Sequence, residues 1–295
     1  MIRFRMYLLI TIEQLHFSII TTVQTPRIDG LVKQGIELNR HYTFKFCSPS
    51  RSAFQSGRNP IHVNVLNVEP SYINTNDPVS GFAGIPRNMT GIAEKMKQGG
   101  YKTHMIGKWD VGMATPDHTP QGRGYDTSLH YFHHCNDYWR STVSQCGIKR
   151  EPVQDLWVSN SSYSGPAYSL ANNVKQCAPT SKHSINFGPD APLDCVYEDE
   201  LFGKEVIQRI NEHDVNTSLF LFYAPHSVHM PLQIPYEYEQ RFDFITDSWE
   251  RKIYAAMVNY MDTIVGQIED TLKSKNMWNN TLIVFSSGSW MMDDG

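Results

Sequence analysis

The sequence lacks the features that would point to a membrane or to nucleic acid. It contains no continuous run of about 18 apolar residues, so the pattern predicts no membrane-spanning helix. Its 26 basic and 30 acidic residues give a formal charge of −4, and without a polybasic block nucleic acid is not an expected partner. Internal repeats and domain-scale linkers are also missing. The 295 residues, 40% of them hydrophobic, therefore predict one large α/β unit.

The first 24 residues are interpreted as a divergent N-terminal segment, and residues 25–295 as a single domain. Arg3 and Arg5 precede the apolar run 6–10, which is typical of a weak secretory signal, but Glu13 and His16 interrupt the pattern. Asn-x-Ser/Thr tripeptides, which are glycosylation acceptors in secreted proteins, also favour the secretory route. They begin at Asn88, Asn160, Asn216 and Asn279.

Cysteine is scarce, with five residues in the chain. Four remain once Cys47 is set aside, namely Cys135, Cys146, Cys177 and Cys195. An even number of cysteines is consistent with two disulfides, for which three connectivities exist. The alternative is four buried thiols in a reducing compartment.

Helical and strand-like patterns alternate along the chain. Apolar periodicity and end signals predict helices at 25–35, 90–99, 197–213 and 247–275. Short apolar runs predict buried strands at 101–107, 219–224 and 281–287. Residues 116–192 predict long loops with short strands. This alternation favours a mostly parallel sheet between helices, with functional groups at the carboxyl ends of the strands.

The most informative stretch is Cys47-Ser48-Pro49-Ser50-Arg51, continued to Gly57-Arg58. It resembles the signature of the type I sulfatases, in which the cysteine is oxidised to formylglycine and becomes the nucleophile. An arginine suits such a site because its guanidinium stays charged and donates in a fork that matches sulfate oxygens. Taken alone, the string is equally consistent with an ordinary turn and a buried thiol.

Further segments occur in the order expected for this family. They are 25–29 (Thr-Pro-Arg-Ile-Asp), 106–109 (Ile-Gly-Lys-Trp), 229–232 (His-Met-Pro-Leu), and 254–262 with its two tyrosines. The chain is identified as a member of the family and resembles the arylsulfatase B branch most. The resemblance implies an alkaline-phosphatase-like α/β fold, incomplete at the C-terminus, and a lysosomal or extracellular location. It also implies sulfated sugars or aryl sulfates as substrates and the formylglycine-generating enzyme as a partner.

The resemblance assigns a role to each matching residue. Cys47 is the formylglycine precursor, Arg51 steadies it and the sulfate, Lys108 contacts sulfate oxygens, and His229 hydrogen-bonds the sulfate or protonates the leaving group. Without the resemblance, Lys108 reads as a solvated lysine and His229 as a loop histidine. The branch also implies a Cys135–Cys146 disulfide, which leaves Cys177 to pair with Cys195.

The family's metal site matches poorly. Calcium is the implied cofactor, but the first expected aspartate pair falls near Leu9 and Ile10, and the second falls at Gly288 and Ser289. Cys47, as formylglycine, is then the one remaining family ligand, because Asp293 and Asp294 come too late in the chain. Asp110 also replaces the family histidine after Gly-Lys-Trp. The function expected is a sulfuric ester hydrolase with doubtful turnover, and the alternative is an impaired homologue that binds sulfated glycans.

Two other interpretations are disfavoured. A related phosphoesterase would usually place Ser or Thr at the position of Cys47. His130, His133 and His134 suggest zinc, but adjacent histidines on opposite faces do not readily bind one metal, and no Cys-x-x-Cys accompanies them. His226 lies nearer the expected site and receives no role from the sequence.

Overall fold

The computed structural model describes residues 5–12, 23–38, 40–65, 72–77, 79, 81–143, 153–170, 177 and 195–288. In this part of the chain, seven strands form one sheet in the order β7-β6-β3-β2-β8-β1-β9. These strands are β1 (Met6–Ile12), β2 (Tyr101–Lys108), β3 (Thr127–Tyr131), β6 (Trp157–Ser159), β7 (Ser164–Pro166), β8 (Ser218–Ala224) and β9 (Thr281–Ser287). The five strands β3, β2, β8, β1 and β9 are parallel to one another, whereas β6 is antiparallel to both of its neighbours, β3 and β7. A separate pair joins β4 (Thr142–Val143) to β5 (Val153–Gln154).

Helices cover both faces of the sheet. They are α1 (Pro26–Gln34), α2 (Cys47–Ser56), α3 (Ile92–Gln98), α4 (Glu198–Glu212), α5 (Tyr236–Glu239) and α6 (Trp249–Ser274). Leu219, Leu221 and Tyr223 of β8 belong to the apolar cluster that contains α4 and α6. Phe220 and Phe222 belong to the cluster that contains α3. Alternate side chains of a buried strand thus stabilise two cores, at about 1.5–3 kcal/mol for each large apolar side chain that is fully buried.

Strand β1 lies inside the sheet, between β8 and β9. Leu8 stands opposite Leu221 on one side and Ile283 on the other. Residues 6–12, which the sequence pattern assigned to a divergent N-terminal segment, therefore belong to the central sheet. An apolar run behind two arginines has the same local pattern in a signal segment and in a buried strand, so only the pairing separates them. Residues 1–4 and 13–22 lie outside the described part.

The predicted helices and strands at 25–35, 90–99, 101–107, 197–213, 219–224, 247–275 and 281–287 are confirmed, with shifts of one or two residues at their ends. The predicted mostly parallel sheet is also confirmed. Helix α2 was not predicted, because its Ser- and Pro-rich sequence has no apolar periodicity. It ends at Gly57, whose φ of 66° is the left-handed conformation common at helix C-termini.

The disulfide between Cys177 and Cys195 is confirmed, with a Cα–Cα distance of 5.5 Å. Cys135 is also disulfide-bonded, and its predicted partner Cys146 lies outside the described residues. Cys47 takes part in no disulfide.

Candidate active site

The candidate site lies at the carboxyl ends of β2 and β8, beside the first turn of α2. Gly107 permits this arrangement because β2 and β8 approach too closely there for any side chain. Its φ is +97°, and a Cβ at this position would meet the carbonyl oxygen of Ala224. Only glycine adopts this positive φ without strain and leaves room for the backbone of Ala224. Lys108 and Asp110 follow directly, and β8 leads into the loop that carries His226 and His229.

Arg51 and Lys108 are both buried, with 1% and 0% of their surface exposed. Arg51 lies one helical turn after Cys47, and its Nη1 donates to the carbonyl oxygen of Lys108 at 2.7 Å. Lysine and arginine are almost never this deeply buried without partners. The interpretation of Lys108 as a solvated lysine is therefore wrong. Cys47 and Arg51 stand in the first two turns of α2, where the helix dipole adds positive potential, and the bond from Arg51 to the carbonyl oxygen of Lys108 joins the end of β2 to this helix.

Asp110 is the carboxylate at the centre of this cluster. Its Oδ1 accepts a hydrogen bond from Ser48 Oγ at 2.8 Å and lies 3.0 Å from His134 Nδ1. Its Oδ2 lies 3.7 Å from Lys108 Nζ. Burial by itself raises the pKa of Asp110, but the charges of His134, Lys108 and Arg51 outweigh it and hold that pKa below its ordinary value. The carboxyl group is therefore ionised at neutral pH.

His229 lies in the loop after β8, the strand next to β2. It is half-buried, and its Nδ1 lies 2.8 Å from the carbonyl oxygen of Met230. Its backbone N–H and C=O are both hydrogen-bonded to the hydroxyl of Tyr138. The ring of Tyr138 stacks on the ring of His226, with centroids 3.8 Å apart.

Two buried acids, Glu198 and Asp199, bind the loop that follows β8. His226 Nδ1 lies 2.9 Å from Glu198 Oε2, and its Nε2 accepts the N–H of Asn136 at 3.3 Å. Asp199 accepts the backbone N–H groups of His226 and Ser227, each at 2.8 Å. Burial raises the pKa of Asp199 to about 6 and the pKa of Glu198 well above its ordinary range. The loop that carries His229 is thus fixed by polar groups without access to solvent.

The structure brings three of the predicted site residues, Cys47, Arg51 and Lys108, to one helix end, and it places His229 on the neighbouring loop. Sequence reasoning missed the partners that organise them, Tyr138, Glu198 and His134. Local sequence patterns gave no signal for these contacts, because each joins residues from separate segments of the chain.

The described residues do not fit calcium. Leu9 and Ile10 are buried within β1 with no oxygen in their side chains, and β1 continues to Ile12. The carboxylate of Asp110 already contacts Ser48, Lys108 and His134. No group of three or more His, Cys, Asp or Glu side chains arranged to hold a metal occurs among the described residues. Calcium takes 6–8 oxygen ligands, and Ser289, Asp293 and Asp294 lie outside the described part.

The three histidines near Cys135 have separate surroundings. His130 is buried, and burial lowers its pKa to about 3. His133 Nδ1 pairs with Asp155 Oδ2 at 2.7 Å, whereas His134 pairs with Asp110. The imidazoles of His133 and His134 therefore pair with two different acids. In the part of the chain that the structure describes, no helix is long and apolar enough to cross a membrane.

Comparison with known proteins identifies the family. The family model described as Sulfatase matches residues 5–288. Arylsulfatase J of Mus musculus is 28% identical over 265 residues, which are 90% of this chain and 38% of that protein. Arylsulfatase G of Mus musculus is 26% identical over 289 residues, which are 91% of this chain and 47% of that protein. The chain thus spans about half the length of these relatives or less.

Solved structures show the same fold. The PsFucS1 sulfatase from Pseudoalteromonas sp. superposes with a TM-score of 0.73 at 21% identity, covering 97% of this chain and 55% of that one. The structure of Ps i-CgsB in complex with k-i-k-neocarrahexaose also gives a TM-score of 0.73, at 24% identity over 96% of this chain and 58% of that one. The central sheet and its helices are therefore the alkaline-phosphatase-like architecture that the sequence predicted.

Proposed function

The chain belongs to the sulfatase family, and from this premise we propose that it carries the sulfate-ester site of an arylsulfatase-type hydrolase. The nucleophile is formylglycine made from Cys47 by the formylglycine-generating enzyme. The substrates are sulfated sugars or aryl sulfates. The observation that carries the proposal is the burial of Arg51 and Lys108 beside the first turn of α2, where Cys47 stands.

The chemistry of sulfate ester cleavage accounts for these residue types. Negative charge lies on three peripheral oxygens and develops on the leaving oxygen, so the reaction needs fixed cations and a proton donor. Arg51 and Lys108 supply the cations for the sulfate oxygens. His229 supplies the proton to the leaving oxygen, from a loop that Tyr138 and Asp199 hold in place. The hydrated aldehyde attacks sulfur and splits one displacement into two easier steps.

A second candidate is a homologue that binds sulfated glycans without turning them over. Its specific support is the poor fit of the described residues to calcium, together with Asp110, an acid where an anion must approach. Binding through Arg51 and Lys108 needs neither a metal nor formylglycine. Sugar ligands are reasonable because a related structure is described in complex with its substrate D-glucosamine-2-N,6-O-disulfate.

We also propose that the protein follows the secretory pathway to the lysosome or the cell exterior. The Cys177–Cys195 disulfide supports this, because such bonds persist in oxidising compartments. Of the predicted glycosylation sites, Asn88, Asn216 and Asn279 are exposed. Asn160 is half-buried, and its Oδ1 accepts the N–H groups of Ser162 and Tyr163.

Mass spectrometry and an activity assay test the proposal together. The protein is expressed with the generating enzyme, and the peptide that contains Cys47 is examined for the aldehyde. The same protein is then assayed on an aryl sulfate, with Cys47→Ala as the blank. Formylglycine with turnover above the blank supports the hydrolase. Formylglycine with saturable binding of a sulfated sugar and no turnover supports the second candidate. An unmodified thiol in every preparation overturns the assignment of the nucleophile.

A further inference from the structure

A carboxylate of the chain itself lies beside the start of α2. Asp110, in the loop after β2, accepts the hydroxyl of Ser48, the second residue of this helix, at 2.8 Å. The N-terminal end of a helix carries partial positive charge and favours a sulfate, a phosphate or a carboxylate. The anion at this helix end is thus an internal side chain.

The same carboxylate lies beside the two buried cations of the site. Lys108 Nζ is 3.7 Å from Asp110 Oδ2, and the charges of Lys108 and Arg51 both favour the ionised form of Asp110. Lys108 is 0% exposed and Arg51 is 1% exposed, and cations at such depth need compensating negative charge. Asp110 therefore provides negative charge that a bound sulfate would otherwise bring to the same two cations.

A sulfate ester and this carboxylate need the same partners. Both present oxygens that accept charge-assisted hydrogen bonds from lysine and arginine. Because the surroundings are buried, the repulsion between two neighbouring anions is weakly screened. A sulfate that approaches Lys108 must displace the Asp110 carboxylate or remain close to its charge, and either event weakens binding.

We propose that Asp110 is an internal anion that competes with sulfate esters for Lys108 and Arg51 and so weakens their binding at this site. This role rests on the proposed function in one respect, namely that Lys108 and Arg51 are the residues that contact the sulfate. It requires neither a metal nor modification of Cys47. The very low turnover expected of this chain then has a second cause besides the poor fit to calcium, because substrate binding is itself weakened.

Binding of phenyl sulfate, a small sulfate ester, tests this role. The protein is produced without the formylglycine-generating enzyme, so that Cys47 stays a thiol and no turnover interferes. The Kd is measured by calorimetry at constant ionic strength, and we expect a value above about 1 mM for wild type. Asp110→Asn should bind phenyl sulfate about 100-fold more tightly, because like charges brought together in a binding site strongly oppose binding.

Asparagine is the conservative replacement at position 110. Asp110 has a φ of +53°, a left-handed conformation that asparagine and glycine adopt more readily than other residues. The amide oxygen of asparagine also accepts hydrogen bonds, so the partner of the Ser48 hydroxyl is kept. Asp110→Gly, which removes the charge and tolerates the same φ, is the second variant if circular dichroism shows that Asp110→Asn has not folded.

Asp155→Asn is the matched control. Asp155 is also a buried carboxylate, and it pairs with His133 as Asp110 pairs with His134. Removing its charge should leave the affinity for phenyl sulfate within about twofold of wild type. The double variant Asp110→Asn/Lys108→Gln tests the cation, and it should lose the gain in affinity that Asp110→Asn produces.

Equal affinity in wild type and the folded Asp110 variants, or an equal gain in Asp155→Asn, overturns the competition. If neither Asp110 variant folds, wild type decides, and a Kd below about 1 mM overturns the competition. A gain in Asp110→Asn that persists after Lys108→Gln means that phenyl sulfate binds elsewhere, which overturns the proposed cations as well. Wild-type binding that Lys108→Gln abolishes and Asp110→Asn leaves unchanged preserves those cations and overturns the competition alone.

Discussion

The hydroxyl of Tyr138 is hydrogen-bonded to both backbone polar groups of His229. It accepts from the N–H at 3.3 Å and donates to the C=O at 3.1 Å. The Tyr138 ring is also stacked on His226 at a centroid distance of 3.8 Å. One side chain therefore fixes the loop that presents His229.

Replacing Tyr138 by Phe is expected to loosen this loop. The ring stack remains, but two half-buried backbone groups of His229 lose their partner, so the free energy of unfolding should fall by about 1–3 kcal/mol. Urea unfolding measures the change. Tyr163→Phe is the control, because its hydroxyl bonds Pro166 at an exposed position, and its effect should stay below about 0.5 kcal/mol. Equal effects of the two changes would contradict the role of Tyr138.

Asp199 should make stability depend on pH. Burial raises its pKa to about 6 in the folded protein, whereas an unfolded aspartate titrates near about 4. The folded state therefore binds more protons in this window, and its contribution to stability falls as pH rises from about 4 to about 6. Asp199→Asn should flatten that part of the curve, although it also leaves one backbone N–H without an acceptor. Unfolding curves at several pH values measure the free energy of unfolding of both proteins. Parallel pH dependence in wild type and Asp199→Asn would contradict the raised pKa of Asp199.

Gly107→Ala is expected to prevent folding or to cost more than about 4 kcal/mol, since a Cβ there meets the backbone of Ala224. Gly100→Ala is the matched control. Gly100 also has a positive φ of +84°, but the space around it is open, so only about 1–2 kcal/mol of backbone strain should result. Circular dichroism and urea unfolding measure both variants. Similar values for the two would show that the contact between β2 and β8 can relax.

Calcium should leave the melting temperature of this chain unchanged. A ligand at 100 times its Kd would add about 2.7 kcal/mol of stability, and the described residues supply no carboxylate set for it. Turnover of an aryl sulfate should likewise be very low with calcium or with a chelator, because a bound metal usually contributes several kcal/mol to such a barrier. Thermal melts with excess calcium and with chelator provide the measurement. A clear upward shift with calcium would place ligands in residues outside the described part.

Cys135 and Cys146 are predicted to pair, in addition to the observed Cys177–Cys195 bond. Closing a loop of this size is worth roughly 3 kcal/mol in the chain-entropy model. Non-reducing peptide mapping should find both bonds, and reduction should lower stability. A peptide that links Cys135 to Cys177 or Cys195 would rule out this connectivity.

The sequence by itself determined the order of most helices and strands, because their apolar periodicity and end signals are local. It also pointed to the stretch from Cys47 to Arg51, since sulfate chemistry needs a nucleophile precursor and a permanent cation close together. The same local reasoning left residues 6–10 open, because an apolar run after two arginines has the pattern of both a signal segment and a buried strand.

Only the tertiary structure decided which distant groups meet. Asp110 and His134 are 24 residues apart, and Tyr138 and His229 are 91 residues apart. No local pattern encodes such contacts, because they depend on β2, β3 and β8 ending at one edge of the sheet. The burial of Lys108 has the same origin. A lysine that sequence alone leaves in solvent is enclosed because β8 packs against Gly107 and α2 covers the strand end.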